Sequence, residues 1–203
     1  MDELEGALTR GENATDHDGL LIRRLCEGDS VAYGELCERF GPRIYRFAVA
    51  RLSGDGQLAE DVMIQTLVDA ARRIRRFDPR KSTLSTWLHG MARREIYREL
   101  RKRHRQKTVP ASAEVPLNDL SDVGDGHDIA ASSAARIDAQ RRLRNLVRVL
   151  SRTEFDVLVM AHVAELSAGE IGRVMGRSER AVHSILHRAR QKVRERLVCD
   201  DNS

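Results

Sequence analysis

Aromatic residues are scarce, at 4% of a 203-residue chain. That scarcity disfavours a β-sandwich or barrel, whose strands lean on aromatic and β-branched side chains. Fourteen glycines and four prolines are too few for a turn-dense all-β protein. Long apolar runs are missing as well. The longest purely hydrophobic stretch is Val157 to Ala161, far short of the roughly 20 residues a membrane helix needs. Asp2, Glu3 and Glu5 follow Met1, the wrong sign for a secretory signal. Three cysteines (Cys26, Cys37, Cys199) with no C-x-x-C pair supply neither a disulfide framework nor a four-thiolate zinc site. No glycine loop of the G-x-x-x-x-G-K-S/T or G-x-G-x-x-G kind is present, and no nucleophile stands with a base and an orienting partner. The expectation is an all-α, soluble, cytoplasmic protein that is not an enzyme and uses no cofactor.

What is present is charge, in blocks. The net charge of +4 conceals two reversals of sign. Residues 1–18 hold six acids and one base, and residues 19–107 hold 20 bases and 11 acids. Residues 108–135 hold five acids and no base, and residues 136–203 hold 14 bases and nine acids. Two basic blocks separated by an acidic connector read as two modules that each meet a polyanion. The connector contains two of the four prolines with Ser, Gly and Asp and lacks periodicity, so it reads as a mobile linker.

In the first basic block Leu21, Ile22 and Leu25 form a short amphipathic turn that ends at Gly28-Asp29. Tyr33, Leu36, Cys37 and Phe40 keep helical spacing until Gly41-Pro42, which is expected to break or kink the run. Along residues 58–76, Ala59, Val62, Met63, Thr66, Leu67, Ala70 and Ile74 share one face. Ile64 and Val68 fall on the other side among Asp61, Gln65 and Arg72. That stripe is either a docking surface for a protein or a pair of ordinary exposed aliphatics, and periodicity leaves the two level.

A long helix is predicted from about Thr83 to Arg105, with Leu84, Leu88, Met91, Ala92, Ile96 and Leu100 inward. Arg94, Arg98, Arg101 and Arg105 line its opposite side, with Trp87 on the same azimuth. Four guanidinium groups with no interleaved acid on that face, beside an indole, suit a phosphate backbone and a stacked base.

In the second block Ile137, Leu143, Leu146, Val147 and Leu150 mark one helix. Ser151 to Glu154 and Ser167 to Glu170 each fit a capping box. Phe155, Leu158, Val159 and His162 follow the first box, and Ile171, Val174 and Met175 the second. Gly176 supplies a turn and Ser178 an N-cap for a last helix with Val182, Ile185, Leu186, Ala189, Val193 and Leu197 inward. A short helix, a glycine turn and a longer basic helix make a helix-turn-helix. Arg180, His183, Ser184, His187, Gln191 and Arg194 share the outward face, the one that enters a major groove. His183 and His187 stand one turn apart, but no carboxylate completes a metal set, so no metal is expected.

The stretches GDSVAYGELCERFGPRIYRFA, AEDVMIQTLVDAARRIRRFD, STWLHGMARREIYRELRKR and LSRTEFDVLVMAHVAELSAGEIGRVMGRSERAVHSILHRARQKVRERL resemble bacterial RNA polymerase sigma factors of the extracytoplasmic-function group of the sigma-70 family. The resemblance spans about residues 19–107 and 136–197. It implies two small helical domains, a region 2 bundle over 19–107 and a region 4 helix-turn-helix over 136–198. A flexible acidic linker over 108–135 joins them, and 1–18 and 199–203 are tails. The resemblance further implies that Asp61, Ile64, Gln65 and Val68 meet core RNA polymerase. It assigns Phe77, Arg80, Lys81, Ser82, Trp87, Arg94, Arg98 and Arg101 to the minus-ten element and its melted non-template strand. Ser178, Arg180, His183, Ser184, His187 and Arg188 fall to the minus-thirty-five duplex. The implied partners are core polymerase, promoter DNA and an anti-sigma factor. The chain departs from the family pattern at Ile64-Gln65, Leu67, Arg94 and His183. An operator-binding regulator and a polymerase-binding decoy are the alternative readings.

Overall fold

The computed structural model describes residues 18–107 and 149–200. The N-terminal tail, the linker and the first helix expected in the second block lie wholly or largely outside these residues, as does the C-terminal tail. Every described regular element is helical.

Helix α1 covers residues 18–27 and buries Leu21 and Leu25. Gly28 turns the chain at φ 83°, a left-handed conformation that suits a residue without Cβ. Asp29 then caps α2 (Ser30–Arg51), its carboxylate accepting from the Val31 N–H at 2.8 Å. The helix passes through Pro42 without ending, so of the break or kink expected there the break does not occur. Proline forfeits one hydrogen bond and crowds the preceding turn, a cost of about 3 kcal/mol. Its ring faces solvent, whereas Phe40, Ile44 and Phe47 are buried on either side. Burial of that stripe carries the helix across the proline.

Asp55 caps α3 (Gly56–Arg73), accepting from the Leu58 N–H at 2.9 Å. Ala59, Val62, Thr66, Leu67 and Ala70 are buried on its core face, and Met63 is half-buried. A 3₁₀ turn, Ile74–Arg76, leads out of it. Helix α4 (Leu84–Lys107) starts just after Thr83, whose hydroxyl accepts from the Thr86 N–H at 3.2 Å. All six residues of its predicted inward stripe are buried. Helices α2, α3 and α4 pack against one another around this core.

The second body contains α5 (Arg152–His162), α6 (Ala168–Met175) and α7 (Glu179–Asp200). Both predicted capping boxes are formed, Ser151 with Glu154 and Ser167 with Glu170. Gly176 closes α6 at φ 64° and donates its N–H to the Gly172 carbonyl, which also accepts from Arg177 at 2.9 Å. The turn folds so tightly that a Cβ on Gly172 would lie 2.6 Å from the Arg177 carbonyl oxygen, a backbone atom that cannot swing aside. Gly172→Ala is therefore expected to destabilise the helix-turn-helix by about 1–3 kcal/mol. Gly169→Ala meets only the flexible Glu179 carboxylate at 3.5 Å and is expected to be near neutral. Thermal denaturation of the two variants separates these outcomes.

The two bodies touch. Helix α4 packs on α6, and α2 packs on α5. Sequence reading separated the modules, and their docking is a finding of the structure.

Candidate functional site

A cleft of about 480 Å³ opens between α3 and α4. Arg73, Arg93, Arg94, Arg98 and Arg101 line it, opposed by the carboxylates of Asp69 and Glu95. Glu99 and Asp156 also approach Arg98 and Arg93, so five guanidinium groups meet four carboxylates, and the excess of positive charge makes the cleft an anion-attracting surface. Three of the arginines were expected there, and Arg73 and Arg93 are additions from α3 and the flank of α4. The expectation of no interleaved acid needs correction. Arg98 pairs with Glu95 and lies 3.8 Å from Glu99, because carboxylates three residues back and one residue on reach round the helix. Burial pushes the Glu95 carboxyl above its ordinary value, outweighing the opposing pull of Arg98.

The segment from Phe77 to Ser82 links the 3₁₀ turn to α4. Asp78 shapes it by accepting from the Arg80 N–H at 3.0 Å. Arg80 and Lys81 hold their side chains 94% and 83% exposed and only loosely paired with Asp78, at 4.0 and 3.7 Å. Ser82 is half-buried. Trp87 does not stand out among the arginines. It is half-buried, with its ring 5.3 Å from that of Phe77 and tilted by 53°. The two rings pack on each other and against the core, and their partial exposure leaves aromatic surface that a base can meet.

On the outer side of α3, Asp61 is exposed and Ile64 is 49% exposed, whereas Val68 and Gln65 are half-buried. The Gln65 amide donates to Asp69 at 3.1 Å. The predicted stripe is thus a ridge centred on Ile64. It lies apart from the core face of the same helix, as 3.6-residue periodicity requires.

In the second body Val182, Ile185, Leu186 and Ala189 seat α7 against α5 and α6. Ser178 accepts from the Ala181 N–H at 3.3 Å and so caps α7. Arg180, His183, Ser184, His187 and Arg188 are exposed together with Ser178 on the outward side. The Ser184 hydroxyl donates back to the Arg180 carbonyl at 3.1 Å, which leaves its oxygen to accept. His183 lies 3.8 Å from Glu179 one turn earlier. Among the described residues, no group of three or more His, Cys, Asp or Glu is placed to hold a metal ion.

Sequence reading missed the contacts between the two bodies. Asp156 of α5 is fully buried, with Arg51 Nε 2.7 Å from its Oδ1. The approach is an ion pair without an aligned hydrogen bond, since that oxygen lacks one. Its other oxygen accepts from Arg93 Nε at 3.1 Å and from the Tyr97 hydroxyl. Burial and Asp156 raise the Tyr97 phenol above its ordinary value against the pull of Arg51 and Arg93. Nearby, Glu170 accepts from the hydroxyls of Thr83 at 2.9 Å and Thr86 at 2.8 Å. Burial alone would raise the Glu170 carboxyl, but hydrogen bonds from Ser167, Thr86 and Thr83 outweigh it and leave it lowered. One signal was available. Arg51 continues the apolar azimuth of Ile44 and Phe47, and Asp156 interrupts the run from Phe155 to Met160. A charge on a buried face demands a partner.

Comparison with known proteins bears on both bodies. Residues 36–106 match the family model described as Sigma-70 region 2, and residues 140–193 match Sigma-70, region 4. The ECF RNA polymerase sigma factor BldN of Streptomyces coelicolor is 26% identical over 182 residues, 89% of this chain and 66% of that one. SigF of Caulobacter vibrioides is 28% identical, covering 88% of this chain and 92% of its own. SigE of Mycolicibacterium smegmatis is 30% identical, covering 84% of this chain and 65% of its own. The chain thus spans just under two thirds of BldN and SigE. In fold it is similar to CnrH, solved in complex with the cytosolic domain of CnrY. The TM-score is 0.66 at 23% identity, over 90% of this chain and 98% of CnrH. It is also similar to RpoE of Bartonella quintana, solved with the anti-sigma factor NepR. There the TM-score is 0.61 at 23% identity, over 83% and 98% of the two chains.

Proposed function

The chain belongs to the extracytoplasmic-function group of the sigma-70 family of RNA polymerase sigma factors, and on that premise we propose how its surfaces divide the work. Residues 19–107 bind core polymerase and the minus-ten element, and residues 136–198 read the minus-thirty-five element as duplex. A single observation carries this reading: one chain holds two separate cationic faces of different chemistry. Arginines line the α3–α4 cleft, and Trp87, paired with Phe77, stands two turns before Arg94 on α4, which suits melted strand, where phosphates and unstacked bases are both accessible. The outward face of α7 carries Arg, His and Ser at helical spacing, which suits base edges in a major groove. An operator-binding dimer has no use for the first face.

In this division Arg94, Arg98 and Arg101 hold phosphates, Phe77 and Trp87 support a base, and Arg80, Lys81 and Ser82 approach the same strand from the loop. Asp61, Ile64, Gln65 and Val68 meet the polymerase. CnrH and RpoE were each solved with a partner protein, RpoE with an anti-sigma factor, and a protein of that kind is the regulator proposed for this chain. Run-off transcription with bacterial core polymerase, with and without the protein, tests the whole reading. Promoter-dependent transcripts that require the protein support it, and no stimulation on any template rejects it.

Ile64→Asp tests the docking ridge. Losing the burial of one aliphatic side chain costs about 1.5–3 kcal/mol, so holoenzyme assembly is expected to weaken roughly ten- to hundredfold. Duplex binding by the second module should stay as it was. Unchanged assembly in a titration of labelled core polymerase removes α3 from the interface.

A further inference from the structure

Of the seven histidines in the chain, two stand one turn apart on the outward face of α7. His183 and His187 are both exposed. Four residues of helical rise separate them by about 6 Å, just under two base-pair steps of about 3.4 Å each. They share a concavity of about 700 Å³ with Arg190, Arg194 and Glu195. Among the described residues, no third ligand group joins them to hold a metal ion.

Histidine is the side chain whose ordinary change of charge falls between roughly pH 5 and 8, so the charges around the pair decide what each ring can do. Glu179, one turn before His183, lies 3.8 Å from its Nε2, an ion pair only while the ring is protonated. Glu195, at the far end of the concavity, accepts from Gln191 at 3.0 Å. Arg180, Arg188, Arg190 and Arg194 are the other exposed charges between Glu179 and Glu195. Two helices pack against α7. On α5, Arg152 lies over Tyr97, Glu154 takes Lys192 and Asp156 takes Arg51 and Arg93, whereas His162 turns to α7 with its Nε2 3.5 Å from Arg190. On α6, Glu170 is held by Thr83 and Thr86, and Arg173 is exposed outside the concavity. Among the described residues, neither helix brings a carboxylate to the pair.

A major groove changes that setting. Guanine presents two acceptors there, N7 and O6, and adenine presents N7, while phosphates line both rims. The two nitrogens of an imidazole point away from each other, so a ring that donates inward to a base turns its other nitrogen towards the backbone. A neutral ring sets a lone pair against that anionic rim, whereas an imidazolium donates on both sides. A polyanion also favours the charged form of an imidazole set against it.

We propose that His183 and His187 read duplex as a proton-linked pair: each enters the groove as an imidazolium that donates to an acceptor on a purine edge, so that binding takes up protons from solvent. The pair rests on the reading of α7 as the duplex-binding helix and adds to it a dependence of both affinity and sequence choice on acidity. Linkage is reciprocal. A duplex that increases the proton affinity of a ring about tenfold is itself bound about tenfold more tightly once that ring is protonated.

The test follows the full chain by fluorescence anisotropy on two labelled duplexes at constant salt, one enriched by the chain from a random-sequence pool and one a scramble of it. From about pH 8 to pH 6, where imidazole changes charge, affinity for the enriched duplex is expected to rise about tenfold for each ring, to roughly a hundredfold for both. The rise on the scramble should be smaller, because it lacks the matched purine edges. His183→Gln/His187→Gln keeps polar side chains that do not titrate and should flatten the curve. His162→Gln should keep the full rise, and Arg180→Gln should weaken binding at every pH while keeping it. Placing 7-deazapurines in the enriched duplex removes N7 and should cut the rise. All of these chains retain His89, so any drift of folding stability with pH is common to them and cancels from the comparison. Three results overturn the pair: a flat curve for the parent, a rise that survives in the double variant, and equal rises on the two duplexes. A flat curve on an enriched sequence removes the proton linkage and leaves α7 as a duplex reader, whereas failure to enrich any sequence removes both.

Discussion

Phe47→Ala is expected to lower the stability of the chain by about 3–5 kcal/mol, the cost of emptying an aromatic site in a packed core. Phe47 is fully buried on α2, and its ring stands edge-on to His89 of α4 at 5.6 Å between centroids. The ring is therefore a shared wall between two helices. Collapse cannot refill the space without moving α2 towards α4. Phe77→Ala removes the same side chain from a half-buried site and should cost far less. Urea denaturation followed by helical circular dichroism measures both. A loss below about 1 kcal/mol for Phe47→Ala, well under the range for an emptied aromatic site, would show that the two helices are held together elsewhere.

His89 gives the same substitution a second signature. Its Nδ1 is 2.8 Å from the Ser85 carbonyl, and its buried Nε2 has no partner. Burial holds its pKa below the ordinary value, helped by Arg43 and opposed by the Ser85 contact and Glu170. A base lowered in the folded state contributes stability above its unfolded pKa of 6.5. That contribution is lost as the pH falls through the folded value, because the unfolded chain takes up the proton first. Opening a cavity beside the ring lets water reach Nε2. The Phe47→Ala chain should therefore show a flatter decline in stability below pH 6.5 than the parent.

The helices themselves were legible because each buries one face, and a 3.6-residue repeat records which residues lie on it. Leu84 to Leu100 on α4 is the clearest instance. The caps were legible for a different reason: Ser151 with Glu154 and Ser167 with Glu170 are local, so four consecutive residues specify the geometry. Pro42 marks the limit of local reading. A proline argues against a helix on its own account, and only the burial of Phe40, Ile44 and Phe47 around it outweighs that cost. The sequence carried no information on what lies against each face. Arg51 and Asp156 are each visible as a charge on an apolar azimuth, but nothing local says that they meet.

The same distinction divides the candidate sites. Arg94, Arg98 and Arg101 share an azimuth of one helix, so the repeat brings them together on paper and in space. Arg73 joins them from α3, which only the packing of two helices can arrange. Trp87 shares their azimuth too, yet its ring turns to Phe77. The azimuth fixes where Cβ points, and a large aromatic has the reach to seek a neighbour off that line.

The outward face of α7 is where sequence reading and geometry agree most closely, and it carries the largest expected effect on function. Replacing both Arg180 and His187 with alanine should cost discrimination between the preferred duplex and a scrambled one of the same length. Each well-formed contact to a base edge is worth about 1–3 kcal/mol, so the loss should reach roughly a hundredfold or more when both are removed. Affinity for the scrambled duplex should fall much less, because phosphate contacts set that floor. Arg194, further along the same helix and also exposed, is the control. On the proposed reading, this distance from the N-terminus of the helix puts it against backbone and not bases. Arg194→Ala should weaken both duplexes alike and reduce the slope of log affinity against log salt by about one contact. Neither double nor single replacement touches the buried stripe from Val182 to Ala189, so the helix-turn-helix should melt as before. Fluorescence anisotropy on the two duplexes over a range of salt reads all of these quantities at once. If Arg180→Ala/His187→Ala lowers both affinities equally, α7 holds DNA without reading it, and the promoter choice proposed for this chain must reside in the first module.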